Sequence, residues 1–134
     1  MRKTIFIASA SVLMLSGCPQ IERIGGPAPI NVDVTVEADA KGVGVSREPI
    51  YVHARNGHTP IVWNVATSGY KFATNGIEIV NGGTEFDCSR KNDVVFMCID
   101  HYAGPAATYK YLVRLEGSSG AQPPPALDPT VVNN

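Results

Sequence analysis

Asn31-Val32-Asp33-Val34-Thr35-Val36-Glu37 alternates polar and apolar residues without a break. Successive side chains of an extended strand point to opposite faces, so this period of two puts Val32, Val34 and Val36 on one face. A helix of 3.6 residues per turn would scatter the same valines around its axis. The pattern repeats downstream. Ile50-Tyr51-Val52-His53-Ala54 and Ile61-Val62-Trp63-Asn64-Val65 flank Asn56-Gly57, a dipeptide suited to the type I′ turn of a β-hairpin, which would set His53 opposite Pro60. Ile77-Glu78-Ile79-Val80 lies between Asn75-Gly76 and Asn81-Gly82-Gly83. Thr84-Glu85-Phe86-Asp87-Cys88 and Val94-Val95-Phe96-Met97-Cys98 bracket a polar turn, Ser89 to Asp93. In Tyr109-Lys110-Tyr111-Leu112-Val113-Arg114-Leu115 the residues Tyr109, Tyr111, Val113 and Leu115 share a face.

The N-terminus has a different plan. Arg2 and Lys3 precede an apolar run, Ile5 to Met14, and then Leu15-Ser16-Gly17-Cys18. Positive charge, a short apolar stretch and a small-residue exit are the parts of a secretory signal. The run is too short to span a hydrocarbon core, which takes about 20 apolar residues. Leu15-Ser16-Gly17-Cys18 resembles the lipobox of bacterial lipoproteins, Leu-(Ala/Ser)-(Gly/Ala)-Cys. The resemblance implies removal of residues 1–17 and lipid attached to Cys18. One acyl chain binds a membrane marginally, and two or three hold stably. Residue 19 is Pro rather than the Asp that retains such proteins in a Gram-negative inner membrane, so the expected address is an outer-membrane lipoprotein facing the periplasm or the cell surface.

Residues 18–29 carry Gly25-Gly26, Pro27 and Pro29 and read as a flexible tether. Residues 117–134 contain Pro123-Pro124-Pro125 and Pro129 and read as a disordered, Pro-rich tail. Between them, residues 30–116 form one domain. About seven short strands with turn signals every 8–12 residues, and no sustained helical period, predict an all-β fold: a small antiparallel sandwich of Ig-like or cupredoxin-like type. Trp63 is its expected central aromatic. The run Ile61-x-Trp63, Tyr70-x-Phe72, Gly76-Ile77-x-Ile79, Phe96-x-Cys98 and Tyr109-x-Tyr111 resembles small secreted proteins of unknown function with that sandwich.

With Cys18 given to lipid, Cys88 and Cys98 are an even pair in an oxidising compartment, where a disulfide is the default. A hairpin turning near Asn92-Asp93 sets position 88 opposite position 98, within bridging range.

Loss of Arg2 and Lys3 with the signal lowers the 11 basic residues to 9 against 12 acidic ones. That balance gives no electrostatic reason to bind nucleic acid.

Cys98-Ile99-Asp100-His101-Tyr102-Ala103-Gly104-Pro105-Ala106 resembles the copper loop of cupredoxins, Cys-x2-4-His-x2-4-Met. By position Cys98 would be the thiolate and His101 an imidazole ligand. The pattern departs in three ways. Ala106 stands where one spacing puts the axial Met, Ser68-Gly69-Tyr70-Lys71-Phe72 lacks the first histidine, and Cys88 competes for the thiol. His53, His58 and His101 have no compact zinc spacing and read as surface or hairpin histidines. Asp100 and His101 are adjacent, so on a strand they point apart and cannot form a catalytic orienting pair. Asp87 and Asp100 flank the disulfide and read as solvated strand ends. No Gly-x-Ser-x-Gly elbow or phosphate-binding loop is present.

The reading is therefore not an enzyme. It is a membrane-anchored, non-catalytic module without cofactor that binds another envelope or secreted protein, as an inhibitor, an immunity-type protector or an assembly accessory. The expected contact loops are Ala66–Lys71 and Asp100–Ala107, with Tyr70, His101 and Tyr102 as contact residues. A copper protein using Cys98 and His101, and a hydrolase of unknown substrate, are the alternatives.

Overall fold

The computed structural model describes residues 27–118, 121 and 123–134. The expected signal (1–17), Cys18 and the expected tether as far as residue 26 lie outside the described residues. Among the described residues there is no α-helix, so none there is long and apolar enough to cross a membrane.

Nine strands follow in chain order: β1 Ile30–Val36, β2 Val43–Val45, β3 Ile50–Val52, β4 Thr59–Val65, β5 Tyr70–Ile79, β6 Phe86–Asn92, β7 Val95–Asp100, β8 Ala107–Gly117 and β9 Thr130–Asn133. They form a five-stranded sheet, β2-β1-β4-β7-β6, and a four-stranded sheet, β3-β9-β8-β5. The predicted all-β sandwich is what forms. Its pairing is mixed rather than purely antiparallel, because β1 lies parallel to β4 and β3 parallel to β9.

Alternation explains the core. Val32 and Val34 of β1, Ile61 and Trp63 of β4, and Phe96 and Cys98 of β7 point from one sheet toward Ile50, Phe72, Tyr111, Val113 and Val131 of the other, and all are buried. Trp63 is the largest fully buried side chain, and its Nε1 donates to the Tyr111 hydroxyl at 3.3 Å. Phe72 meets Phe96 edge to face at 5.6 Å. Each such aromatic contact adds about 0.5–1.5 kcal/mol beyond the area it buries.

Three local readings are corrected. Asn56-Gly57 does not join a hairpin, since β3 and β4 belong to different sheets. A type I′ turn needs positive φ at both central residues. Here only Gly57 takes it (φ 60), and it ends a short 3-10 turn, Ala54–Asn56, that carries the chain between sheets. Asn75-Gly76 does not break a strand. It lies within β5, where the register against β8 shifts between Phe72 and Ile77. A Cβ on Gly76 would sit 2.8 Å from that of Phe72, so the irregularity needs glycine.

The third correction is the largest. The end of the expected disordered tail is β9, and it occupies the middle of its sheet. Leu127 exchanges backbone hydrogen bonds with Val113, Tyr111 N–H donates to the Pro129 carbonyl, and β9 then pairs with β8 on one side and β3 on the other. Val131 is fully buried, and Pro124 and Pro129 are buried too. Prolines that lack an N–H lead up to this strand without interrupting its ladder.

Candidate functional site

Register builds the site. In the larger sheet Asp100 stands opposite Thr59 of β4 on one side and Phe86 of β6 on the other. One position further out, His58 faces His101, and His101 N–H donates to the Glu85 carbonyl at 2.8 Å. Glu85, His101 and His58 thus form a single rung at the edge of the ladder. The two histidine Nδ1 atoms are 2.6 Å apart, with ring planes near perpendicular. One Nδ1 therefore carries the hydrogen and the other the lone pair. His58 is exposed and His101 half-buried.

Beneath the rung lies a polar knot. Asp100 is 0 % exposed and Asn133 of β9 is 2 % exposed. Asp100 Oδ1 accepts the Tyr102 N–H at 3.0 Å and the Asn133 side-chain amide at 3.3 Å. Asp100 Oδ2 and Asn133 Oδ1 are buried with no hydrogen-bond partner among the described residues. Burial pushes the Asp100 carboxyl above its ordinary range. The two hydrogen bonds oppose the shift, the Glu85 charge adds to it and His101 counters it. Protonated, Asp100 has a donor to offer the orphaned Asn133 carbonyl, which the carboxylate lacks. The expectation of Asp87 and Asp100 as solvated strand ends is therefore corrected. Asp87 is exposed, but Asp100 is interior, because inward-facing β7 positions alternate from Phe96 through Cys98 to Asp100.

The loop after β7 is shaped by these contacts. Tyr102 takes φ 47, a left-handed conformation uncommon outside glycine, with its N–H tied to Asp100. Strain of this kind concentrates at binding and switch segments. Two residues on, the Gly104 N–H approaches the Glu85 carboxylate at 3.0 and 3.4 Å. Phe86 packs edge to face on Tyr109 at 5.0 Å beside it.

The structure brings some expected site residues together and separates others. Cys88 and Cys98 are bonded, directly opposite across the β6–β7 hairpin with Cα atoms 3.9 Å apart. That bond uses the thiol the copper alternative needed, so Cys98 and His101 do not form a ligand pair. His101 and Tyr102 sit at one end of the sandwich. Tyr70 sits at the other, opposite Gly117 on β8, whose eleven residues begin at the Asp100 end and cover roughly 30 Å. The loops Ala66–Lys71 and Asp100–Ala107 thus make two surfaces rather than one. Sequence reasoning missed the His58–His101 pairing, Glu85 and Asn133. Assigning His58 to a β3–β4 hairpin and Asn133 to a tail hid both. Among the described residues, no three histidine, cysteine or acidic side chains are grouped as metal ligands.

No known protein-family model matches the chain, and no curated protein matches its sequence.

Proposed function

We propose that this chain is a lipid-anchored envelope protein whose β-sandwich is a non-catalytic module for binding another protein. The observation that carries the reading is the Cys88–Cys98 disulfide. It belongs to an oxidising compartment and takes two of the three cysteines. The remaining one, Cys18, closes the lipobox-like Leu15-Ser16-Gly17-Cys18. Pro19 favours the outer membrane on the same resemblance.

The contact surface we assign is the end carrying His58, His101 and Tyr102. Tyr102 supports this through its left-handed backbone, and the tether supports it through position. Ile30, where β1 begins, stands opposite Ile61, two positions from the Thr59–Asp100 pair. Residues 18–29 therefore join the sandwich at this same end. Twelve residues at about 3.3 Å each hold it within about 40 Å of the bilayer surface. A binding face on the anchored side suits a partner in or on the same membrane, which favours an assembly accessory over a protector against soluble proteins. The inward Asp100, fully buried below His101, supports a non-catalytic role for the pair.

The test is fractionation with site-specific photo-crosslinking in cells. The unaltered chain should pellet with membranes, and Cys18→Ser should shift it to the soluble fraction. A photoreactive residue at position 102 should trap one membrane protein, while one at position 70 should trap none. A soluble wild-type chain, or equal trapping from both positions, defeats the proposal.

A further inference from the structure

We propose that His58 and His101 form a two-imidazole site for a divalent transition-metal ion of the copper(II), nickel(II) or zinc(II) class. The inference is independent of the anchor and of any protein partner, since it rests on geometry within the folded sandwich.

The two histidines flank different strands, His58 just before β4 and His101 just after β7, which the Thr59–Asp100 pair holds in register, and His101 is pinned further by its N–H bond to Glu85. Their backbones are thus fixed before any ion arrives, which lowers the ordering cost of binding. Both rings turn Nδ1 inward, at 2.6 Å. Two nitrogens at about 2.0–2.1 Å from one ion stand about 2.9 Å apart at a right angle and about 3.3 Å apart at the tetrahedral angle. The rings need to open by well under 1 Å, and His58 is exposed and has room to turn. The ion then takes the place of the single proton the two nitrogens share.

Donor chemistry selects the class. Imidazole suits copper, nickel and zinc, whereas magnesium and calcium take oxygen ligands. Among the described residues no thiolate competes, because Cys98 is bonded to Cys88. The Glu85 carboxylate, held by the Gly104 N–H of the loop after β7, adds negative potential without being a ligand. Two protein donors leave the remaining coordination positions to water. Each ligand must bind unprotonated, so affinity falls in acid.

The experiment is calorimetric titration of the purified, disulfide-intact chain with nickel(II) and zinc(II) chloride at pH 7.5, with magnesium chloride as the contrast. One equivalent of nickel or zinc should bind, and magnesium should not. His58→Ala and His101→Ala should each weaken binding at least tenfold. His53→Ala should leave it unchanged, because His53 is exposed beyond β3 in the other sheet. His58 lies at the surface, so its alanine variant keeps the fold, and an unchanged urea midpoint checks this. Proton spectra should show two of the three imidazole signals broadened by nickel. No heat of binding, binding that survives His58→Ala, equal loss in His53→Ala, or magnesium binding as tightly would each overturn the site.

Discussion

Replacing Val131 with alanine separates a structural β9 from a passive tail. Val131 is 0 % exposed, between Ile50 of β3 and Tyr109 of β8. Truncation removes two buried methyl groups, worth about 1.6 kcal/mol at about 0.8 kcal/mol each. The space left behind adds to that. A cavity of about 50 Å³ at about 24 cal/mol per Å³ costs about 1 kcal/mol more if the walls do not collapse. The expected loss is about 1.5–3 kcal/mol, a large fraction of the 5–15 kcal/mol that holds a typical domain together. In melting temperature this is roughly 8–15 °C for a domain near 100 residues. Urea unfolding followed by fluorescence reads it cleanly, since Trp63 is the single tryptophan and fully buried. A destabilisation under about 0.5 kcal/mol, the range of ordinary surface changes, refutes the placement of β9 in the core. Deleting residues 130–134 should go further and abolish the cooperative transition, because β3 then has no strand partner.

Other consequences follow from the same contacts. The Cys88→Ser, Cys98→Ser double variant opens a link of sequence separation 10 and should lose about 2–3 kcal/mol in urea unfolding; an unchanged midpoint contradicts this. Asp100 has a raised folded pKa, so its contribution is present in full below the unfolded value of 3.8 and is lost as pH rises through the folded one. Asp100→Asn should therefore raise the urea midpoint at pH 7 and change it little at pH 4, whereas a lower midpoint at pH 7 would show that the carboxylate is the form the fold uses. Burial pushes the Tyr111 hydroxyl up to about 12, so stability is complete below its ordinary value of 10.0 and falls between about pH 10 and 12. Tyr111→Phe should flatten that alkaline loss and cost about 1 kcal/mol at pH 7 through the lost Trp63 hydrogen bond, and an unaltered alkaline limb in denaturation speaks against it.

How much was legible depends on the kind of information each residue carries. Alternation in 31–37 assigns Val32 and Val34 to the core because the period of a strand is two, and both are buried. The Cys88–Cys98 hairpin was legible because its pairing is local and its turn marks the register. Periodicity says which face a side chain takes, not which strand lies beside it. The parallel pairing of β1 with β4, and of β3 with β9 some 80 residues away, left no local trace. Asn56-Gly57 misled because its turn chemistry competes with the longer-range demand that β3 reach the second sheet. Thr130–Asn133 was too short and too close to proline for a strand reading, and only burial between β3 and β8 makes it one. At the candidate site, Asp100, His101 and Tyr102 stood out by residue type. His58 and Glu85 join them through the ladders on either side of β7, and Asn133 reaches Asp100 from the other sheet, arrangements that only the folded chain brings together.

The three cysteines connect fold, compartment and proposed anchor, and intact mass spectrometry of the detergent-extracted, unreduced protein follows all of them at once. The expected species begins at Cys18, carries acyl chains on that residue, and is two hydrogens lighter than the reduced chain because Cys88 and Cys98 are joined. A chain with unmodified Cys18, or one in which Cys98 reacts with a thiol reagent before reduction, contradicts the lipid-anchored, disulfide-linked protein proposed above.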